Sequence, residues 1–176
     1  LLLLLRYQLL DSLCPDAAFL IEKEPRFKKL VTQAMGNTDQ RVKDGRHVTP
    51  AFLLAALLWP VVQTRADNLI RGGEAAAQAL HSAGQQVIAE TCQKMAIPKR
   101  FSYPVREIWE LQTRLERKQP KRVKDLIADR RFRAAYDLLL LREESSEALD
   151  NAGKFWEQQQ LEHPELVGTA PPRTEA

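Results

Sequence analysis

Residues 104–118 read PVREIWELQTRLERK, and their spacing decides the fold. At 100° per residue, Val105, Ile108, Trp109, Leu111 and Leu115 share one broad arc, while Arg106, Arg114, Arg117 and Lys118 fall on the opposite side. Pro104 is expected to open this helix, because its fixed φ suits a first turn and its missing N–H is unused there. Pro120 punctuates the end, since proline cannot continue the backbone ladder. One face therefore packs into a core and the other displays cations.

The same logic extends in both directions. Downstream, Leu126 and Ile127 belong to a short helix, residues 132–141 to another, and residues 147–161 to a last one anchored by Phe155 and Trp156. The tail 163–176, with Pro164, Pro171 and Pro172, is expected to be disordered. Upstream, residues 97–103 (IPKRFSY) read as a basic loop following a helix over 73–96, which Gly72-Gly73 opens and Pro98 closes. Thr49 and Pro50 supply an N-cap and a first helical position. Residues 51–58 are apolar on every side, so their helix should be central, with Pro60 kinking or ending it. Pro25 starts a helix through Phe27, Leu30, Val31 and Met35, with Gly36-Asn37 as its stop and a polar connection over 37–49.

Residues 1–13 read as the end of a helix closed at Cys14-Pro15. The run Leu1 to Leu5 does not fit a signal peptide: no basic segment precedes it, Arg6 interrupts it and no small-residue cleavage site follows closely. With no initiator Met, the expectation is that the sequence opens inside a helix. No other stretch approaches the roughly 18 apolar residues that cross a bilayer.

Composition agrees with an all-α chain. Among 176 residues, 44% are hydrophobic, 28% are charged and only seven are Gly, while the helix formers Ala, Leu, Gln, Glu, Lys and Arg abound. The expected architecture is a bundle-like array of about seven or eight helices, without an internal repeat. Two cysteines, Cys14 and Cys92, cannot make a disulfide framework. They fit a reducing, cytoplasmic compartment, each read as a small buried hydrophobe.

The net charge is only +3, but residues 94–133 hold thirteen Lys or Arg against five acids, +8 in 40 residues, which leaves the remainder at −5. That asymmetry localises a positive field and favours a polyanion partner over a face charged for solubility alone. Catalytic patterns are not found. His47, His81 and His163 lie far apart, and none pairs with Cys at ligand spacing. Gly72-Gly73 matches neither a dinucleotide nor a P-loop spacing, and no nucleophile elbow stands out. The residues read as binding rather than catalysing, with no metal site.

Three ordered blocks carry a resemblance: residues 37–59 (NTDQRVKDGRHVTPAFLLAALLW), 96–123 (AIPKRFSYPVREIWELQTRLERKQPKRV) and 132–143 (FRAAYDLLLLRE). Together they resemble the C-terminal region of bacterial poly(A) polymerases, relatives of the tRNA CCA-adding enzymes, over residues 1–144. The resemblance implies an enzyme whose N-terminal nucleotidyltransferase head holds Mg²⁺ and ATP and adds AMP to RNA 3′ ends, marking transcripts for decay. Helical neck, body and leg regions would follow, with an arginine-rich part that holds RNA. It further implies contact with an RNA helicase near the N-terminus of the present sequence. On this reading residues 1–24 end the neck, 25–162 form the arginine-rich helical domain, and 163–176 are the tail. The catalytic head lies outside the sequence, so no residue here takes its roles, and the family's extreme basic tail is not matched.

Lys99, Arg100, Arg106, Arg114, Arg117, Lys118, Lys121, Arg122 and Lys124 are then expected to form a phosphate-tracking surface. Phe101 and Tyr103 are candidates for stacking on unpaired bases, against a plainer role as loop anchors, and Trp109 belongs to the core. Two rival readings are the body of a CCA-adding enzyme that grips tRNA, and a helical module whose basic face meets an acidic protein.

Overall fold

The run of apolar residues after Thr49 becomes the axis of the molecule. In the computed structural model, which describes residues 11–12 and 14–167, eight α-helices follow one another from Pro15 onward. They are α1 (Pro15–Lys23), α2 (Pro25–Lys43), α3 (Pro50–Arg71), α4 (Ala76–Lys94), α5 (Lys99–Arg117), α6 (Val123–Ile127), α7 (Phe132–Glu144) and α8 (Ala152–Glu162), with 3₁₀ turns at Pro120–Arg122 and Pro164–Leu166. No strand occurs among the described residues. From residue 51 to residue 67 no side chain of α3 is exposed, as expected for a helix apolar on all sides. It packs most extensively on α4 and α5, and also on α1, α2 and α7.

Proline sets several boundaries, but not always where the sequence places them. Pro15 opens α1, so the Cys14-Pro15 step begins a helix that the sequence reading lacked. The helix expected over 1–13 lies outside the described residues except for helical residues 11 and 12. Pro60 neither ends nor interrupts α3, which continues eleven residues to Arg71 with the ring buried. The core contacts of Val61, Val62 and Ala66 offset the one backbone bond that proline removes.

α2 also outlasts its expected stop. It runs through Gly36-Asn37 because Thr38 is buried on the core side, its hydroxyl donating to the Ala34 carbonyl at 2.8 Å. The reversal falls instead at Gly45, whose φ of +67° suits glycine, and the Arg46 N–H closes on the Arg41 carbonyl at 2.8 Å. At the other end, α8 starts at Ala152 rather than near residue 147. Ser146, Asp150 and Asn151 all adopt left-handed φ, and this tight turn cannot be helical. The 3₁₀ turn Pro164–Leu166 packs on α8 within the stretch expected to be disordered, and residues 168–176 lie outside the described ones.

Tryptophans pin these helices together. Trp109, 1% exposed, lies against Gly84 of α4, where an added Cβ would come within 3.2 Å of the ring. Its indole donates to the Ala55 carbonyl of α3 at 3.0 Å. Trp156 of α8 is fully buried, packs edge-on to Phe132 and Phe155, and donates to the Leu115 carbonyl of α5 at 2.9 Å. A buried cation joins them. Arg142 of α7 reaches Gln112 at 2.9 Å, Glu116 at 2.7 Å and Glu147 at 2.6 Å, with its guanidinium over the Trp59 ring. Burial alone would lower its pKa, yet Glu147 and Glu116 raise it, so the charge is kept. Cys14 is buried as expected, with its thiol pushed up chiefly by that burial, whereas Cys92 is exposed on α4 rather than buried.

Candidate nucleic-acid interface

The basic segment is more helical than its sequence indicates. Lys99 to Tyr103 form the first turn and more of α5 instead of a loop, because Pro98 acts as its N-cap and accepts from the Phe101 and Ser102 N–H groups. Pro104 therefore sits inside the helix, not at its start. The expected amphipathic arc holds throughout: Val105, Ile108, Trp109, Leu111 and Leu115 are all buried. α5 ends at Lys118, whose φ of 47° is left-handed. Its ammonium donates to the Asp150 carbonyl at 2.7 Å and to the Asp150 carboxylate, which the hydrogen bond from Lys118 holds below the usual range.

Carboxylates divide the nine candidate cations into two groups. Arg106 lies 3.9 Å from Glu110, Lys118 is held by Asp150, and Arg122 is 3.3 Å from Asp125. Lys99, Arg100, Arg114, Arg117, Lys121 and Lys124 are exposed and have no ion pair among the described residues. Lys99 and Arg100 stand at one end of α5, roughly 21–27 Å along the axis from Arg114 and Arg117 at a rise of about 1.5 Å per residue. Arg114, Arg117 and Arg122 line one depression, together with Asp125 and Asp129. Of the two stacking candidates, Tyr103 is 49% exposed. Phe101 is half-buried, with the Arg100 guanidinium 4.9 Å from its ring centroid.

The sequence reading missed the part of the surface built from distant segments. A second depression, lined by Glu107, Arg114, Asp129 and Arg130, joins the first through the shared Arg114 and Asp129. Arg130 in turn lines a cleft of about 500 Å³ whose far wall is the end of α2 and the loop after it. Two pairs of arginines mark this end. Arg130 and Arg131 both bind Glu107, at 2.6 and 2.7 Å, while Arg41 and Arg133 both bind Asp137, at 2.8 and 3.3 Å. Burial would raise the Glu107 carboxyl, but Arg131 and Arg130 together hold it below its ordinary value. At Asp137 burial wins over Arg133 and Arg41, and the carboxyl is pushed up. The only sequence signal for Arg41 was its place in the first resembling block. Its approach to α7 depends on the packing of α2 there.

Among the described residues no three His, Cys, Asp or Glu side chains gather into a group that could hold a metal ion. No helix there is long and apolar enough to cross a membrane.

Comparison with known proteins gives consistent results. The family described as the polymerase A arginine-rich C-terminus matches residues 72–173. Poly(A) polymerase I of Escherichia coli O6:H1 is 36% identical over 167 residues, which is 92% of this chain and 36% of that protein. Poly(A) polymerase I of Salmonella typhi is 34% identical over 163 residues, 90% of this chain and 35% of the relative. That of Haemophilus influenzae is 33% identical over 168 residues, covering 93% and 37%. The chain thus spans little more than a third of the length of the curated relatives it matches.

Proposed function

Since this chain belongs to the polymerase A arginine-rich C-terminus family, the C-terminal region of bacterial poly(A) polymerases, we propose that it holds the RNA whose 3′ end such an enzyme extends with AMP. The observation that carries this reading is the set of exposed cations without ion pairs among the described residues on α5, the 3₁₀ turn after it and α6: Lys99, Arg100, Arg114, Arg117, Lys121 and Lys124. Each phosphate neutralised there releases condensed counterions, which gives affinity without base selectivity. That suits an enzyme acting on many transcripts. Tyr103 adds an exposed ring on the same helix, worth about 1–3 kcal/mol if a base stacks on it.

In this reading ATP and Mg²⁺ serve a nucleotidyltransferase head outside residues 1–176, the setting is the bacterial cytoplasm and the product is a transcript marked for decay. An RNA helicase would meet the region at the N-terminus of the present sequence. The described residues bind and orient; no chemical step falls to them.

The test is RNA affinity against salt for the wild type and for Arg114→Ala/Arg117→Ala/Lys121→Ala. Three lost phosphate contacts should flatten the slope of log K against log salt by about 2, and weaken binding at low salt by one to two orders of magnitude. Unchanged affinity and slope would remove the claim. Equal binding of folded tRNA in competition would favour a CCA-adding body instead.

A further inference from the structure

The cleft beyond Arg130 is built differently from the open stripe on α5. Four of its cations are paired before any ligand arrives: Asp137 holds Arg41 and Arg133, and Glu107 holds Arg130 and Arg131. In each triplet two guanidiniums share one carboxylate, leaving a net charge of +1. Each guanidinium carries five N–H donors in a planar fork, and the pairing occupies only some of them. Arg46 completes the cluster from the loop after α2, exposed and without an ion pair among the described residues. Asp44 and Glu144 also line the cleft and reduce its charge without reversing it. Phe52, Pro104 and Leu140 give the same cleft an apolar portion. At about 500 Å³ it has the volume of a small-ligand site with a few oriented polar groups.

We infer that this cleft is a nucleoside-phosphate subsite, in which the arginines around Arg46 take a backbone phosphate and the apolar portion takes the base. The inference rests on the RNA-holding reading and deepens it. Because Arg130 and Arg114 link the cleft to the depressions along α5, the occupant is a nucleotide within an RNA strand rather than a free one. Arginines outnumber acids at the two ends of this series, in the cleft and in the depression of Arg114, Arg117 and Arg122. Glu107, Glu110 and Asp129 line the middle, so phosphates would be gripped at the ends and bridged between.

The experiment uses the whole chain with a labelled oligoadenylate of about fifteen nucleotides, long enough to cover a single-strand site of ordinary size. Arg46→Glu is chosen because this side chain is exposed and unpaired, and Arg46→Ala serves as the milder companion. Arg46→Glu should weaken binding about five- to tenfold near 0.1 M salt, and Arg46→Ala should lower the salt slope by about 1. In proton NMR the His47 imidazole, which lines the cleft, should shift on titration while that of His163 stays. Wild-type binding by both Arg46 variants, alongside weakened binding by the α5 variant, would overturn the cleft and leave the stripe standing. If every variant binds as wild type, the RNA-holding reading itself fails, and this inference with it. Two controls identify the occupant. ATP that shifts His47 and resists displacement by oligoadenylate would mean a mononucleotide site, overturning the strand assignment. Polyglutamate that displaces the RNA at equal charge would mean an acidic protein partner, with the same effect.

Discussion

Replacing Arg142 by Ala should cost about 3–5 kcal/mol of stability, the range for removing one partner from a buried ion pair. The guanidinium is nearly inaccessible, and among the described residues no other cation forms an ion pair with Glu116 or Glu147. Without it, two carboxylates from different elements face each other with less water than they need, and the Gln112 amide oxygen loses its donor. The face of Trp59 is uncovered as well. For a chain of this size the melting temperature should fall by about 10 °C. Arg142→Lys should recover only part of this, because a single ammonium cannot reach three acceptors in a fixed fork. Urea denaturation of the three proteins decides the point, and a loss below about 1 kcal/mol for Arg142→Ala would show that the network is not holding α5 to α7.

Trp156→Ala should be comparably damaging, about 3–5 kcal/mol for emptying a large aromatic site. Its effect should also be directional. The indole N–H holds the Leu115 carbonyl in the last turn of α5, next to the left-handed Lys118 that ends the helix. Losing it removes one of that turn's anchors, leaving the Glu116–Arg142 and Lys118–Asp150 pairs to hold it, and loosens the spacing of Arg114 and Arg117. Amide exchange over residues 114–118 should therefore accelerate more than exchange across α4. Trp156→Phe keeps most of the packing and drops the hydrogen bond, so it should cost about 1–2 kcal/mol. Acceleration spread evenly over the chain would mean that the indole contributes bulk alone.

These two residues also mark how far the sequence could be read. The helical class, the buried arc of α5 and the central place of α3 followed from periodicity, since both helices meet the core along stripes that their spacing declares. Boundaries were less legible where tertiary contact outweighs local preference. Gly36 and Pro60 look like stops, but Thr38 and Val61 belong to the core and carry their helices onward. Arg142 was hidden for a similar reason: among four leucines and two glutamates it looks like a surface charge at a helix end. For the interface, proximity in sequence marked α5 and the turns after it. The i,i+4 and i,i+3 spacings of Arg106 with Glu110 and Arg122 with Asp125 were there to be read as pairs, but nothing local hinted that Lys118 would meet Asp150, or that α2 and the loop after it would bring Arg41 and Arg46 beside Arg133.

The doubly shared acids have a consequence for how such a sequence can drift. Loss of Asp137 would set Arg41 and Arg133 against each other, and loss of Glu107 would do so for Arg130 and Arg131. Either change subtracts an attraction and adds a repulsion in one step. Each trio is thus coupled: its acid is lost at a smaller penalty once one of its two arginines has already gone.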